Sequence, residues 1–136
     1  MDLASAFLQI NWWSVIVAAL STFLLGGLWY GPLFGKTWMR SFNFSIEDLK
    51  NRNAIKTFGL SLVLALMAAF ILDMFIGHQA DMITGLLAGF FAGLGWVVTF
   101  TGIQYLFEMK TLKIFMVNAG YSLVSLSIMG AILGAW

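Results

Sequence analysis

The sequence predicts an all-α polytopic membrane protein, with four transmembrane helices in an antiparallel bundle and a short interfacial cytoplasmic helix. Three observations carry this. Of 136 residues, 61% are hydrophobic and 10% are charged, against about 45–50% apolar and about 25% charged in an ordinary soluble domain. No charge falls between Asp2 and Lys36, between Asp81 and Glu108, or after Lys113, and a fourth apolar stretch from Thr57 to Ile76 contains only Asp73. Each stretch reaches the roughly 20 residues that carry a helix across about 30 Å of hydrocarbon. All seven Lys and Arg fall in two of the connections between these stretches. The runs are apolar on every side, so helices rather than alternating barrel strands are expected.

The first helix is placed near 12–31. Gly31 and Pro32 should end it, because proline lacks the N–H that a continuing helix requires. Asp2 in place of a basic leader, and the length of the apolar run, argue against a cleavable signal. In the loop 32–56, Phe34, Trp38 and Phe42 recur every four residues with Lys36 and Arg40 between them. That spacing predicts a short helix lying on the inner leaflet, apolar face down. Ser45-Ile46-Glu47-Asp48 resembles an N-cap with acids in the first turn, and Asp48 stands four residues before Arg52. The second helix is expected to begin there and run a few turns before entering the bilayer near Thr57; a plain connecting loop is the alternative. Spans near 57–76, 82–106 and 114–135 complete a single transmembrane domain, 1–136.

Charge sets the orientation. Lys36, Arg40, Lys50, Arg52, Lys56, Lys110 and Lys113 share one side, whereas Asp2, His78 and Asp81 lie on the other. The positive-inside rule then places both basic loops in the cytoplasm and both termini outside the cytoplasmic (inner) membrane.

Small residues mark where helices can approach closely. Gly85, Gly89 and Gly93 form two successive GxxxG steps on the third helix, and Ser61, Ala65 and Ala69 repeat that spacing on the second. Ser14, Ala18, Thr22 and Gly26 on the first helix, and Ser127, Gly130, Ala131 and Gly134 on the fourth, are similar. The short turn Gly77 to Asp81 makes the second and third helices antiparallel neighbours. Counting inward from it sets Ala69 level with Gly89 and Ala65 level with Gly93. The glycine strip could instead serve self-association.

Several stretches resemble a known family. They are Asn11-Trp12, the run Gly27-Leu28-Trp29-Tyr30-Gly31-Pro32-Leu33-Phe34-Gly35-Lys36-Thr37-Trp38-Met39, and, in the last helix, Asn118-Ala119-Gly120-Tyr121 with Met129-Gly130-Ala131-Ile132-Leu133-Gly134. The chain resembles the bacterial domain of unknown function 1761 family along essentially its whole length. The resemblance implies a four-helix bacterial inner-membrane protein and supplies no catalytic or ligand residues. A faint internal likeness between Leu25-Gly26-Gly27-Leu28-Trp29 and Ala92-Gly93-Leu94-Gly95-Trp96 is weighed chiefly as shared membrane composition.

Composition excludes several functions. A formal charge of +1 leaves no basic field for nucleic acid, and the absence of Cys removes disulfides, thiolate metal sites and cysteine nucleophiles. No phosphate loop, HExxH or recognisable serine nucleophile is present. Tyr30, Gln104, Tyr105, Glu108, Asn118 and Tyr121 should gather near the cytoplasmic interface, either as a ligand or lipid-headgroup cluster or as ordinary interfacial aromatics and helix bridges. Asp73, His78 and Asp81 on the outer side read as a polar turn more readily than a metal site, and Asp73 is expected to reach water. No catalytic residue, cofactor or metal is expected. The leading expectation is a structural or interaction protein among membrane lipids, assembled as a homo-oligomer. The alternatives are a small transporter or channel at the oligomer interface and a lipid-binding protein.

Overall fold

The computed structural model describes residues 2–136, which fold into helices with no strand among them. The helices are α1 (Leu3–Leu8), α2 (Trp12–Leu33), α3 (Gly35–Phe42), α4 (Ile46–Asn51), α5 (Ala54–Ile76), α6 (Met82–Phe107) and α7 (Leu112–Ala135). Four of them, α2, α5, α6 and α7, are long and apolar enough to cross a membrane. The protein is therefore a small multi-pass membrane protein. Successive spans run antiparallel, so the connections 34–53 and 108–111 share one end with every Lys and Arg in or beside them. That end is called the basic end below; the turn between α5 and α6 and the chain termini lie at the other.

Helix starts follow the local sequence. Asn11 Oδ1 accepts from the Trp13 N–H at 3.0 Å, Asn53 Oδ1 from Lys56 at 3.0 Å and Asp81 Oδ1 from Thr84 at 2.8 Å, each satisfying a donor that the first helical turn leaves free. Ser45 and Asp48 form a reciprocal capping box: the Ser45 N–H donates to Asp48 Oδ2 at 2.8 Å while the Asp48 N–H donates to Ser45 Oγ at 3.1 Å. These bonds hold the exposed Asp48 carboxyl below its usual range. The helix that starts here stops at Asn51. Arg52 is extended and Asn53 caps a fresh helix, so the continuous second helix expected from Ser45 is instead two. Asp48 makes no ion pair with Arg52, whose guanidinium lies over the Phe58 ring at 5.0 Å. The short α1, capped by Asp2, escaped the sequence reading; its Phe7 packs against Phe70 at 5.9 Å.

Pro32 does not lie beyond α2 but inside its last turn. The backbone widens over Trp29–Leu33 into a π turn, in which the Phe34 N–H reaches the Trp29 carbonyl at 2.8 Å. A second π turn interrupts α6 at Gly93–Val98, and the Thr99 hydroxyl donates back to the Gly95 carbonyl at 2.8 Å there. At the far turn, Gly77 ends α5 with φ of 75°, a conformation that a side chain would strain.

The bundle is organised around α7. Val15, Ala18 and Ala19 of α2, Ala69 and Leu72 of α5, and Met129 and Leu133 of α7 join Ile10 in one core. Ala18, Ala19 and Ala69 are 0% exposed, so their backbones set the helix spacing. The third span joins by a different device. A Cβ placed on Gly85 would fall on the Gly130 carbonyl, one on Gly89 on the Leu126 carbonyl, and one on Gly134 on the Asp81 carbonyl. Helices α6 and α7 thus touch backbone to backbone.

This corrects the expected register. Gly85, Gly89 and Gly93 face α7, not Ala65 and Ala69; those alanines belong to the α2–α5–α7 side, and Ser61 is exposed with its hydroxyl bonded to its own helix at the Thr57 carbonyl. A short turn fixes direction, but small residues on α7 offer α6 the closer fit.

Substituting Gly89 by Ala should therefore lower the thermal stability of the purified protein by about 1–3 kcal/mol. Gly59→Ala, where a Cβ meets nothing within 4 Å, should be neutral or mildly stabilising. Equal melting curves for the two variants would refute the backbone contact.

Candidate functional site

The basic end of the bundle carries the densest polar and aromatic grouping in the fold. Asn118, in the second turn of α7, joins two other spans. The Tyr30 hydroxyl donates to its Oδ1 at 2.7 Å, and its Nδ2 donates to the Tyr105 hydroxyl at 2.6 Å. Alongside, Trp29 Nε1–H donates to the Val117 carbonyl at 2.8 Å and the Tyr121 hydroxyl to the Thr22 carbonyl at 2.9 Å. Each bond crosses between helices, and each side chain is only partly buried. Removed from water, such groups must find partners within the protein, which is why the tyrosines and the amide point at one another.

Ring packing extends the grouping into α3. Tyr30 meets Tyr121 edge-on at 5.2 Å and Trp38 at 5.4 Å, Trp38 meets Phe44 at 5.2 Å, and Phe34 lies 4.9 Å from Trp29. Part of the Phe34, Trp38 and Phe42 stripe therefore rests on the bundle's own aromatics. Lys110 Nζ sits 4.6 Å above the Phe42 ring, which ties the two basic loops together. In this arrangement the Tyr105 hydroxyl proton and the second Asn118 N–H have no acceptor among the described residues.

Of the six residues expected here, Tyr30, Tyr105, Asn118 and Tyr121 come together. Gln104 and Glu108 do not. Both are exposed, and neither side chain hydrogen-bonds within the described chain. The cause is the π turn at Gly93–Val98. In a regular helix Gln104 would fall on the same face as Gly93, because eleven residues make just over three full turns. One extra residue in the wide turn rotates all that follows by about 100°. Gly102, where a Cβ would lie 3.3 Å from Phe115, and Tyr105 then face α7 instead. Trp29 and Trp38 were not among the expected site residues, and the signal for Trp29 was its place next to Tyr30 and three residues before Pro32.

At the other end the three outer residues separate. Asp81 is exposed and caps α6; the Thr84 N–H holds its carboxyl below the usual range. His78 is exposed, whereas Asp73 is turned into the bundle and only 6% exposed, contrary to the expectation that it reaches water. Among the described residues no group of three His, Cys, Asp or Glu side chains is placed to hold a metal. A shallow apolar groove of about 360 Å³ runs between α6 and α7, lined by Met82, Leu86, Phe90, Leu123, Ile128 and Ile132. The two likened segments of the faint repeat differ in setting: Trp29 is hydrogen-bonded inward, Trp96 is 65% exposed.

Asn118→Leu should remove two hydrogen bonds and strand two hydroxyls, destabilising the protein by about 1–3 kcal/mol per group left unpaired. Adding Tyr30→Phe to Asn118→Leu should then cost less than Tyr30→Phe alone, because its partner is already gone. Strict additivity in thermal melts would contradict a connected clasp.

No curated protein and no solved structure matches the chain at significant similarity. The family model described as "Protein of unknown function (DUF1761)" matches residues 13–134, which takes in all four spans and the clasp. The chain belongs to the DUF1761 family.

Proposed function

We propose that this is a structural or interaction protein of the bacterial cytoplasmic membrane, with both termini outside, which holds anionic lipid headgroups at its basic end. The observation that carries this reading is the composition of that end. Four bound aromatic and amide side chains make a rigid floor with two hydrogen-bond donors left over. At the same end of the bundle lie the seven cations, none in an ion pair with a carboxylate among the described residues. Unpaired cations beside interfacial aromatics attract anionic lipid by about 1 kcal/mol each. At this end Tyr30, Tyr105, Asn118 and Tyr121 are engaged in bonds between helices, which favours a scaffold over a transporter. Assembly as a homo-oligomer is part of the proposal, because most of the lipid-facing surface of α5 is unpartnered within one chain.

Two measurements test it. Purified protein in mixed vesicles should retain phosphatidylglycerol over phosphatidylcholine, and Arg40→Gln with Lys110→Gln should reduce the preference several-fold, about twofold to fivefold per cation. Equal retention of both lipids overturns the lipid reading, and ion or small-cation flux in the same vesicles favours a transporter at an oligomer interface. For orientation, a cysteine at position 79 should label from outside intact cells and one at position 51 should not. The reverse pattern overturns the placement of the termini.

A further inference from the structure

The core shared by α2, α5 and α7 contains one carboxyl. Asp73 lies one helical turn beyond Ala69 on the same face of α5, next to Leu72, and all three are buried. Its Oδ2 is shut off from solvent and has no hydrogen-bond partner. The buried core that Ala69 and Leu72 join is completed by Ile10, Val15, Ala18, Ala19, Met129 and Leu133, none of them titratable. From α1 the neighbour is Phe7, packed on Phe70, while Asp2 caps α1. His78, just past the end of α5, is within electrostatic reach, but it is exposed and makes no hydrogen bond to the carboxyl. Asp81 is also exposed and is engaged with Thr84.

A carboxylate held in such a place costs several kcal/mol unless it is paired, and the packed helices supply no partner. A metal cation would require a shell of oxygens, and the surrounding alanine, leucine and methionine side chains have none. The neutral acid needs only one proton. It fits an apolar packing site much as an amide would.

We infer that Asp73 is a reversible proton-binding site inside the outer end of the bundle, occupied in the packed state. The inference rests on the protein being a membrane protein and is independent of the proposed lipid site at the basic end. Loss of the proton leaves a charge on a carboxyl that is only 6% exposed and whose Oδ2 has no partner, and the outer end must loosen to hydrate it fully. The packed state therefore binds one more proton than the opened one. Stability is complete at low pH and falls as the pH rises past the point at which Asp73 releases its proton.

The test is chemical. Dicyclohexylcarbodiimide is apolar and adds a protonated carboxyl across one of its N=C bonds: the acid proton goes to nitrogen, the carboxyl oxygen to carbon. The adduct rearranges to a stable N-acylurea with no leaving group. Full-length protein in lipid vesicles, treated at neutral pH and digested, should carry the reagent on the peptide containing Asp73 at least about tenfold more than on that containing Glu108. Asp73→Asn should remove this labelling. In thermal melts, wild type should lose stability on going from neutral to alkaline pH, Asp73→Asn should not, and His78→Asn should behave as wild type. Labelling of Asp73 no stronger than of Glu108 overturns the site. So does an Asp73→Asn variant that keeps the wild-type pH response.

Discussion

Everything in this bundle depends on the backbone contact between α6 and α7. Lipid tails are as apolar as leucine, so burying leucine against leucine gives membrane helices no reason to associate. What remains is close packing. Gly85 and Gly89 let α6 approach until its backbone meets the carbonyls of Gly130 and Leu126, and Gly134 meets Asp81 in the same way. Dispersion contacts then form along both backbones, whereas larger side chains would hold the helices apart. The contact also fixes the height of one helix against the other. With Gly85 opposite Gly130, the basic end of α6 arrives beside the start of α7, and Tyr105 can reach Asn118.

The two ends of the bundle treat polar groups in opposite ways. At the basic end Asn118 satisfies both Tyr30 and Tyr105, Trp29 finds the Val117 carbonyl, and Tyr121 the Thr22 carbonyl. A network of this kind strengthens as water is excluded, since each bond is stronger in a low-dielectric setting. Toward the other end the same exclusion leaves Asp73 Oδ2 without a partner, and in α7 the hydroxyl of Ser125 is likewise buried and unbonded. The first arrangement favours one fixed packing. The second makes the packing depend on whether a proton is present.

Much of the fold was legible because the bilayer imposes it. Charge-free stretches of sufficient length have to be helices, and the four spans emerged within a few residues of their observed bounds, Trp12–Leu33, Ala54–Ile76, Met82–Phe107 and Leu112–Ala135. Caps were legible where one side chain decides, as at Ser45. The break at Arg52 was not, because Asn53 can sit within a helix or cap a new one, and only the turn into the bundle selects the cap. Partner choice was also hidden. Ala65 and Ala69 carry the same small-residue spacing as the glycines, yet an alanine strip still holds a Cβ at each step, and only Gly130 and Gly134 leave room for the Gly85 backbone.

The candidate site failed to be fully legible for a sharper reason. Reading faces from spacing assumes about 100° of rotation per residue throughout a helix. The wide turn at Gly93–Val98 breaks that assumption in the middle of α6. Before it, the strip Gly85, Gly89 and Gly93 follows the regular period; after it, the inward face passes through Gly102 and Tyr105 while Gln104 turns out. Sequence offers a partial warning. Gly93 and Gly95 weaken the helix there, and Thr99 stands four residues beyond Gly95, where its hydroxyl bonds the carbonyl. A π turn therefore joins two requirements that a straight helix could not meet together. Glycines must face α7 in the first half of α6, and a tyrosine must face Asn118 in the second. The same sequence wound as a regular helix throughout would bring Gln104 to the clasp and turn Tyr105 away, so the phase of this one turn decides which side chain completes the site.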